Sequence, residues 1–185
     1  PCQYDGTPSN IAATEALKGA LERGVTIREW RHRRPDGTEW DGEVHLMPFH
    51  DGRQLWVQCS IQDITQRTES LRALKRLALY DTLTGLINRA PFIERLRETL
   101  ASARQAGKNV AILYLDLDRF KEINDAQGHT VGDDVLREVA RRFAGALQEG
   151  DILARLGGDE FAILAAGTDP AAAALIAERI IGTLA

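Results

Sequence analysis

The chain has 185 residues, 44% of them hydrophobic, and its 23 Lys and Arg against 27 Asp and Glu leave a formal net charge of -4. That balance suits one domain or two small ones with a packed core, and it excludes nucleic acid or an anionic membrane as the main partner on electrostatic grounds. No apolar stretch approaches the ~20 residues that span a bilayer, and the N-terminus lacks the basic-then-apolar form of a signal peptide.

Cys2 and Cys59 match no metal-binding spacing, so a reducing compartment, the cytoplasm, is the simplest setting, with a disulfide between them as the alternative. Residues 11–23 (IAATEALKGALER) have helical periodicity, with Gly24 as the stop. From Glu39 to Leu46 the residues Trp40, Gly42, Val44 and Leu46 alternate with polar ones; Leu55, Val57, Cys59 and Ile61 repeat the pattern. The turn signals "RPDGT" and "HDGR" precede these runs, so residues 25–63 read as a three-stranded antiparallel meander with one face buried. Within it His32, His45 and His50 read as surface histidines rather than haem ligands, and Arg28, Arg31, Arg33 and Arg34 as a solvated hairpin tip.

Asp63 and Thr65 can cap a helix running to Tyr80, in which Ile64, Leu71, Leu74 and Ala78 form a short heptad stripe. The stripe is either a dimer seam or a face packed on its own domains. After "YDTLTGLINR", Pro91 opens a helix carrying Phe92, Leu96, Leu100 and Ala103. Val110 to Leu117 is almost continuously apolar, as in a central strand buried on both faces. Residues 121–134 (KEINDAQGHTVGDD) join it to an amphipathic helix with Val135, Leu136, Val139, Phe143 and Leu147. Two short strands, 152–156 and 161–165, and an Ala-rich helix from Pro170 to the last residue complete a layered α/β second half.

The two short strands are joined by Gly157-Gly158-Asp159-Glu160, a tight hairpin turn whose glycines supply positive φ and admit close approach to the backbone. A plain surface turn is the alternative. Against it stands Asp116-Leu117-Asp118 at the end of the apolar strand, with acids 116 and 118 on one face. If the hairpin pairs beside that strand, three or four carboxylates meet at one sheet edge, an arrangement that calls for cations. Oxygen ligands suit Mg²⁺ or Mn²⁺, and these favour phosphate substrates. In the 121–134 segment Lys121 can offset phosphate charge. Asn124 and Asp133 can read a base edge, a carboxylate accepting naturally from guanine N1–H and its exocyclic amine. Singly, Asn124 and Gly128 are ordinary loop formers, His129 a brace, and Asp133 and Asp134 helix N-terminal acids.

Together, "DTLTGLINR", "DLDRFKEINDAQGHTVGDDVL" and "RLGGDEFAIL", in this order and spacing, closely resemble the GGDEF family of diguanylate cyclases, from about Leu77 to Ala185. The resemblance implies an α/β (α+β) fold like that of class III nucleotidyl cyclases and polymerase palms, in which two GTP become cyclic di-GMP plus pyrophosphate across a homodimer. It implies Asp116, the Leu117 carbonyl, Asp159 and Glu160 as the Mg²⁺ or Mn²⁺ site, and Asp159 with Glu160 as the catalytic acids. Gly157 and Gly158 would lie against the nucleotide. Asn124, Asp133 and His129 would line the guanine side, and Lys121 with the backbone at Arg119 and Phe120 would face the phosphates. Two departures stand out. The family's inhibitory product site uses Arg-x-x-Asp, where this chain has Gln148 and Asp151, which removes the arginine fork. The family also continues through further strands and helices with a Lys and an Arg for the triphosphate, so the catalytic expectation belongs to the intact parent protein.

"EWRHRRPDGTEWDGEVHLMPFHDGRQLWVQCSIQDITQRTE" resembles the C-terminal half of a PAS domain ending in Asp-Ile-Thr. The expected organisation is a partial PAS sheet at residues 1–65, a helical signalling linker at 66–80 and a C-terminally truncated GGDEF domain at 81–185. No residue identifies a ligand for the PAS-like part. Expected partners are GTP, a second copy of the chain and downstream cyclic di-GMP effectors, with no nucleic acid and no membrane contact within the segment; the parent could be tethered to a membrane elsewhere. The rival expectation is a non-catalytic GTP-binding module that regulates a downstream EAL-type phosphodiesterase. A third, an inactive cyclic di-GMP receptor, is weakened by Gln148.

Overall fold

A computed structural model describes residues 3–4 and 6–184; Cys2, and with it the alternative of a disulfide, lies outside them, while Cys59 is exposed. The chain divides into two compact units, Pro1–Leu74 and Lys75–Ala185. No described helix is long and apolar enough to cross a membrane.

In the first unit α1 (Ser9–Arg23) buries Ala12, Ala16, Gly19 and Ala20, a stripe of small residues at three- and four-residue steps. Gly24 ends it at φ 90°, its N–H donating to the Ala20 carbonyl. The strands β1 (Thr26–Arg33), β2 (Glu39–Asp51) and β3 (Gln54–Asp63) form an antiparallel sheet in the order β1-β2-β3. The expected meander is therefore present, but its apolar face is not closed: Leu55 and Ile61 are about half exposed. The reason is geometric, since α1 packs on β1 and β2 and leaves β3 without a helix.

At the arginine tip Arg28, Arg33 and Arg34 are exposed, and surface ion pairs join Arg33 to Glu39 at 2.6 Å and Arg34 to Asp63 at 3.5 Å. His45 pairs with Glu43 at 2.7 Å and His50 is exposed. His32 is not a surface histidine. Its ring stacks on Trp40 at 4.3 Å and lies against Gly42, where a Cβ would stand 2.7 Å from it, and its Nε2 is buried with no hydrogen-bond partner among the described residues.

Helix α2 (Thr65–Leu79) starts as the sequence predicts: Asp63 Oδ1 accepts from Thr65 N–H at 3.0 Å and from its hydroxyl at 2.6 Å. A second anchor is Asp41, the one buried charged residue among those described. Its backbone N–H donates to Thr65 Oγ1 at 3.0 Å and its carbonyl accepts from Ile64 N–H at 2.9 Å. Its carboxylate takes Thr68 Oγ1 at 2.9 Å and Arg72 at 3.0 Å, with Arg31 at 3.8 Å. Beyond these first turns α2 buries no residue, and Leu71, Leu74 and Leu77 are exposed.

The second unit is a three-stranded antiparallel sheet, β4 (Val110–Asp116), β6 (Glu160–Ala166) and β5 (Ile152–Gly157) in the order β4-β6-β5. On one face Phe161, Ile163 and Ala165 of β6 pack on Leu136, Val139 and Phe143 of α5 (His129–Ala146) and on Ile176 and Ile180 of α6 (Pro170–Gly182). Phe143 and Phe161 meet edge to face at 5.5 Å. On the other, Ala154, Ala162 and Leu164 pack on Phe92 of α3 (Arg89–Ala106), which Asn88 caps. This is a mixed α/β architecture.

Three expectations need correction here. First, β4 is an edge strand with one face open: Ala111, Leu113 and Leu115 join the core, whereas Ile112 and Tyr114 are 49% and 59% exposed. Among the described residues it bonds to β6 alone, and α3 packs most on β5, touching only part of β4. Second, residues 121–134 are helical, since α4 (Phe120–Gln127) and α5 are separated only by Gly128 at φ 84°. The Phe120 side chain packs on the core and approaches Gly132 of α5, so tertiary contact overrides the turn-forming composition. Third, α6 stops at Gly182, before the last residue.

Candidate functional site

Backbone register makes the site. β4 pairs with β6 so that Asp116, the last residue of β4, stands opposite Glu160, the first of β6. Asp159 precedes it in the turn, and Asp118 lies two residues beyond the end of β4 rather than on the strand with Asp116. The hairpin can close because Gly157 sits at φ 143° and Gly158 at φ 54°, with open space where either Cβ would project. The carboxylates feel one another. Asp116 is pushed above the usual carboxylate range chiefly by the charge of Asp159, with desolvation and the charges of Glu160 and Asp118 adding.

Glu160 has partners of its own. Arg89, the first residue of α3, reaches its Oε2 at 3.2 Å, and the Glu160 carboxylate near Tyr114 on the open face of β4 pushes that phenol upward. The hairpin is braced from behind by Arg155, whose Nε and Nη2 donate to the Gly158 carbonyl at 2.9 and 2.6 Å. Arg155 Nη1 pairs with Asp81 at 2.9 Å, and both side chains are largely buried. Asp81 in turn accepts from Thr84 N–H and Oγ1 at 2.9 and 2.6 Å. Burial alone would raise the Asp81 carboxyl, but these donors outweigh it and hold it below its ordinary value. Sequence reasoning assigned no role to Asp81, Arg89, Tyr114 or Arg155. Their signal was present in part: Asp81 and Arg89 bracket "DTLTGLINR" and Arg155 opens "RLGGDEFAIL".

The donor set fits a hard divalent cation, since Asp116, Asp159, Glu160 and the Leu117 carbonyl are all oxygen ligands. Among the described residues, no three or more His, Cys, Asp or Glu are drawn together tightly enough to hold an ion without rearrangement. The Leu117 carbonyl accepts from Phe120 N–H at 3.2 Å, which leaves a lone pair. The remaining expected site residues fall on two helices: Lys121 and Asn124 on α4, His129 and Asp133 on the first turns of α5. Asn124 Oδ1 lies against Gly132 of α5, the residue before Asp133, and any Cβ at Gly132 would displace it. Lys121 and His129 are exposed. Gln148 and Asp151 stand just before β5, where Gln148 N–H donates to Asp151 Oδ2 at 3.0 Å. The carboxylate is thus engaged locally, beside a cleft that Arg179 of α6 also lines.

Comparison with known proteins bears on this geometry. A probable diguanylate cyclase, DgcE of Escherichia coli K12, is 37% identical over 177 residues, 95% of this chain and 16% of that protein. The cyclic di-GMP phosphodiesterase NbdA of Pseudomonas aeruginosa PAO1 is 40% identical over 118 residues, 64% of this chain and 15% of that protein. The chain therefore spans less than a fifth of either relative. Among solved structures, the coiled coil and GGDEF domain of DgcB from Caulobacter crescentus, in complex with c-di-GMP, aligns with a TM-score of 0.58 and 33% identity over 63% of this chain and 61% of that one. The family model "Diguanylate cyclase, GGDEF domain" matches residues 78–185, more than half of the chain, which therefore belongs to the GGDEF diguanylate cyclase family.

Proposed function

We propose that the protein carrying this chain is a PAS-regulated diguanylate cyclase that condenses two GTP into cyclic di-GMP with release of pyrophosphate. The observation that carries the reading is the register of Asp116 against Glu160, with Asp159 in the glycine turn between them and β5. Asp116, Asp159, Glu160 and the Leu117 carbonyl would hold Mg²⁺ or Mn²⁺, which when bound neutralises phosphate charge and lowers the barrier to displacement at phosphorus. Asp159, on the open turn, takes the proton of the attacking 3′-hydroxyl. The new bond joins that oxygen to the α-phosphorus of the second nucleotide, the α–β bridging bond breaks and one pyrophosphate leaves; the second nucleotide's 3′-hydroxyl then attacks the α-phosphorus of the first in the same way, closing the ring and releasing the second pyrophosphate.

The other residues bind and orient. Asn124 on α4 donates and accepts, and Asp133 near the start of α5 accepts, at the guanine edge, with His129 at the same helix start. Lys121 and the backbone at Arg119 and Phe120 face the phosphates. Gly157 and Gly158 leave room for the nucleotide. A second copy of the chain brings the second GTP, turning a bimolecular encounter into a positioned one. The exposed Leu71 and Leu74 on α2 support pairing of two copies there. Residues 1–65 are read as the C-terminal part of a PAS domain, supported by the meander that ends in Asp63-Ile64-Thr65 at the start of α2, residues 66–80 as the signalling linker and 81–185 as the cyclase domain. With GTP as substrate, this segment works in the cytoplasm.

Incubation of the parent protein with GTP and Mg²⁺ tests the reading. Cyclic di-GMP from the wild type and none from Asp159→Ala is the expected result; no product from the wild type, or undiminished product from the variant, overturns it. A second reading is favoured by the similarity to a phosphodiesterase. In it the domain binds GTP and regulates an attached EAL-type hydrolase, and GTP-stimulated hydrolysis without synthesis by the parent would establish it.

A further inference from the structure

Arg89 is the last residue of "DTLTGLINR", and none of the roles derived so far uses it. It is the first residue of α3, its Nη2 lies 3.2 Å from Glu160 Oε2, and its Nε is 3.5 Å from the Leu156 carbonyl in β5. Glu160 is therefore held by a guanidinium, while Asp116 and Asp159 have no cationic side chain within ion-pair distance among the described residues.

Asp116 feels the charges of Asp159, Glu160 and Asp118 together, and Arg89 is the one cationic side chain within ion-pair distance of any of these four among the described residues. Without Arg89 the Glu160 carboxylate would add to the repulsion already felt at Asp116, and it would be open to coordinate as well.

We propose that Arg89 is a positioning residue of the carboxylate cluster: it holds Glu160 as a built-in counter-ion, so that Asp116 and Asp159 form the resting cation site and Glu160 joins only by leaving the guanidinium. The inference rests on the metal reading of the cluster given above. It makes Arg89 a competitor for the cation, so removing it strengthens cation binding in the absence of nucleotide.

Mn²⁺ titration of the full chain, followed by electron paramagnetic resonance without GTP, reads this directly. Arg89→Ala is expected to bind Mn²⁺ about two- to fivefold tighter than the wild type, the range of one exposed ion pair. Arg89→Lys, which keeps the charge, is expected to stay within about twofold of the wild type. A gain in affinity cannot come from a misfolded variant, and Arg89→Gln takes the place of Arg89→Ala if the latter fails to unfold cooperatively. Equal or weaker binding by the folded, charge-free variant overturns the proposal. Wild-type binding that is absent, or indifferent to Asp116→Asn, overturns the metal reading instead, and the two failures are distinct.

Discussion

Replacing Asp41 with Asn tests how the first unit grips α2. The side chain is 7% exposed and serves Arg72 at 3.0 Å, Thr68 at 2.9 Å and Arg31 at 3.8 Å, while both arginines also reach the Tyr4 ring, at 6.0 and 4.5 Å. Asn keeps the shape and one acceptor but removes the charge. Breaking a fully buried pair costs about 3–5 kcal/mol. Here Arg72 and Arg31 are 55% and 36% exposed and regain water, so the loss falls to about 2 kcal/mol, the size of one or two charge-assisted hydrogen bonds. For a unit of this size that is a drop in Tm of about 10 °C.

All three tryptophans, Trp30, Trp40 and Trp56, lie in the first unit, so urea unfolding of the full chain followed by tryptophan fluorescence reports it selectively. The pH dependence fixes the cause. Burial pushes the Asp41 carboxyl up, but the hydrogen bonds from Tyr4 and Thr68 and the charges of Arg72 and Arg31 outweigh it and hold it below the usual range. A depressed carboxylate contributes fully above its unfolded pKa, about 4, and that contribution fades as pH falls through the folded value. The gap between wild type and Asp41→Asn should therefore be complete at pH 7 and close as pH drops below about 4. A gap under about 0.5 kcal/mol at pH 7, or one that persists unchanged in acid, refutes the charge argument.

At the carboxylate edge of the second unit the sign reverses: Asp116 is raised by its neighbours, so its ionised form opposes folding at pH values above its folded pKa. Asp116→Asn should raise the Tm of the metal-free protein at pH 7 and abolish cyclic di-GMP synthesis, whereas Mg²⁺ should raise the Tm of the wild type more than that of the variant; calorimetry with and without Mg²⁺ measures both. Arg155→Lys should cost the second unit about 1–3 kcal/mol, because an ammonium cannot serve Asp81 and the Gly158 carbonyl together, and Asp81→Asn should cost about as much; chemical unfolding followed by circular dichroism provides the number. In the turn, Gly158→Asn should cost only about 1 kcal/mol at φ 54°, while Gly157→Ala, at φ 143°, should distort the hairpin and reduce GTP binding, as isothermal titration would record.

The elements legible in the sequence were those specified locally. Gly24 ended α1, "RPDGT" and "HDGR" bounded the meander, and Asp63 with Thr65 announced α2. The acids of the site were legible for a similar reason, since Asp159 and Glu160 sit in a turn whose glycines leave no apolar purpose for them. What escaped was decided at a distance. An apolar run such as residues 110–117 looks the same whether its second face is covered or open, and only the folded arrangement shows that β4 pairs with β6 alone among the described residues and leaves Ile112 and Tyr114 exposed. The Asn, Asp, Gly and His of residues 121–134 favour turns, yet Phe120 and Gly132 pack α4 on α5 and make the segment helical. Arg155 and Asp81 are 74 residues apart, beyond any local pattern. Asp41 read as an ordinary outward residue of an alternating strand, and its burial depends on Arg72, two turns into α2.

Helix α2 begins in the first unit and ends in the second, and it buries none of its own 15 residues. A rod of that kind carries rotation as well as distance. One residue inserted between Arg72 and Leu79 would turn everything downstream by about 100° and lift it by about 1.5 Å, whereas seven would return the downstream face to within about 20° of its starting direction. Along such a helix, length is periodic in its effect on facing: changes of about two turns preserve the face a residue presents, and changes in between do not.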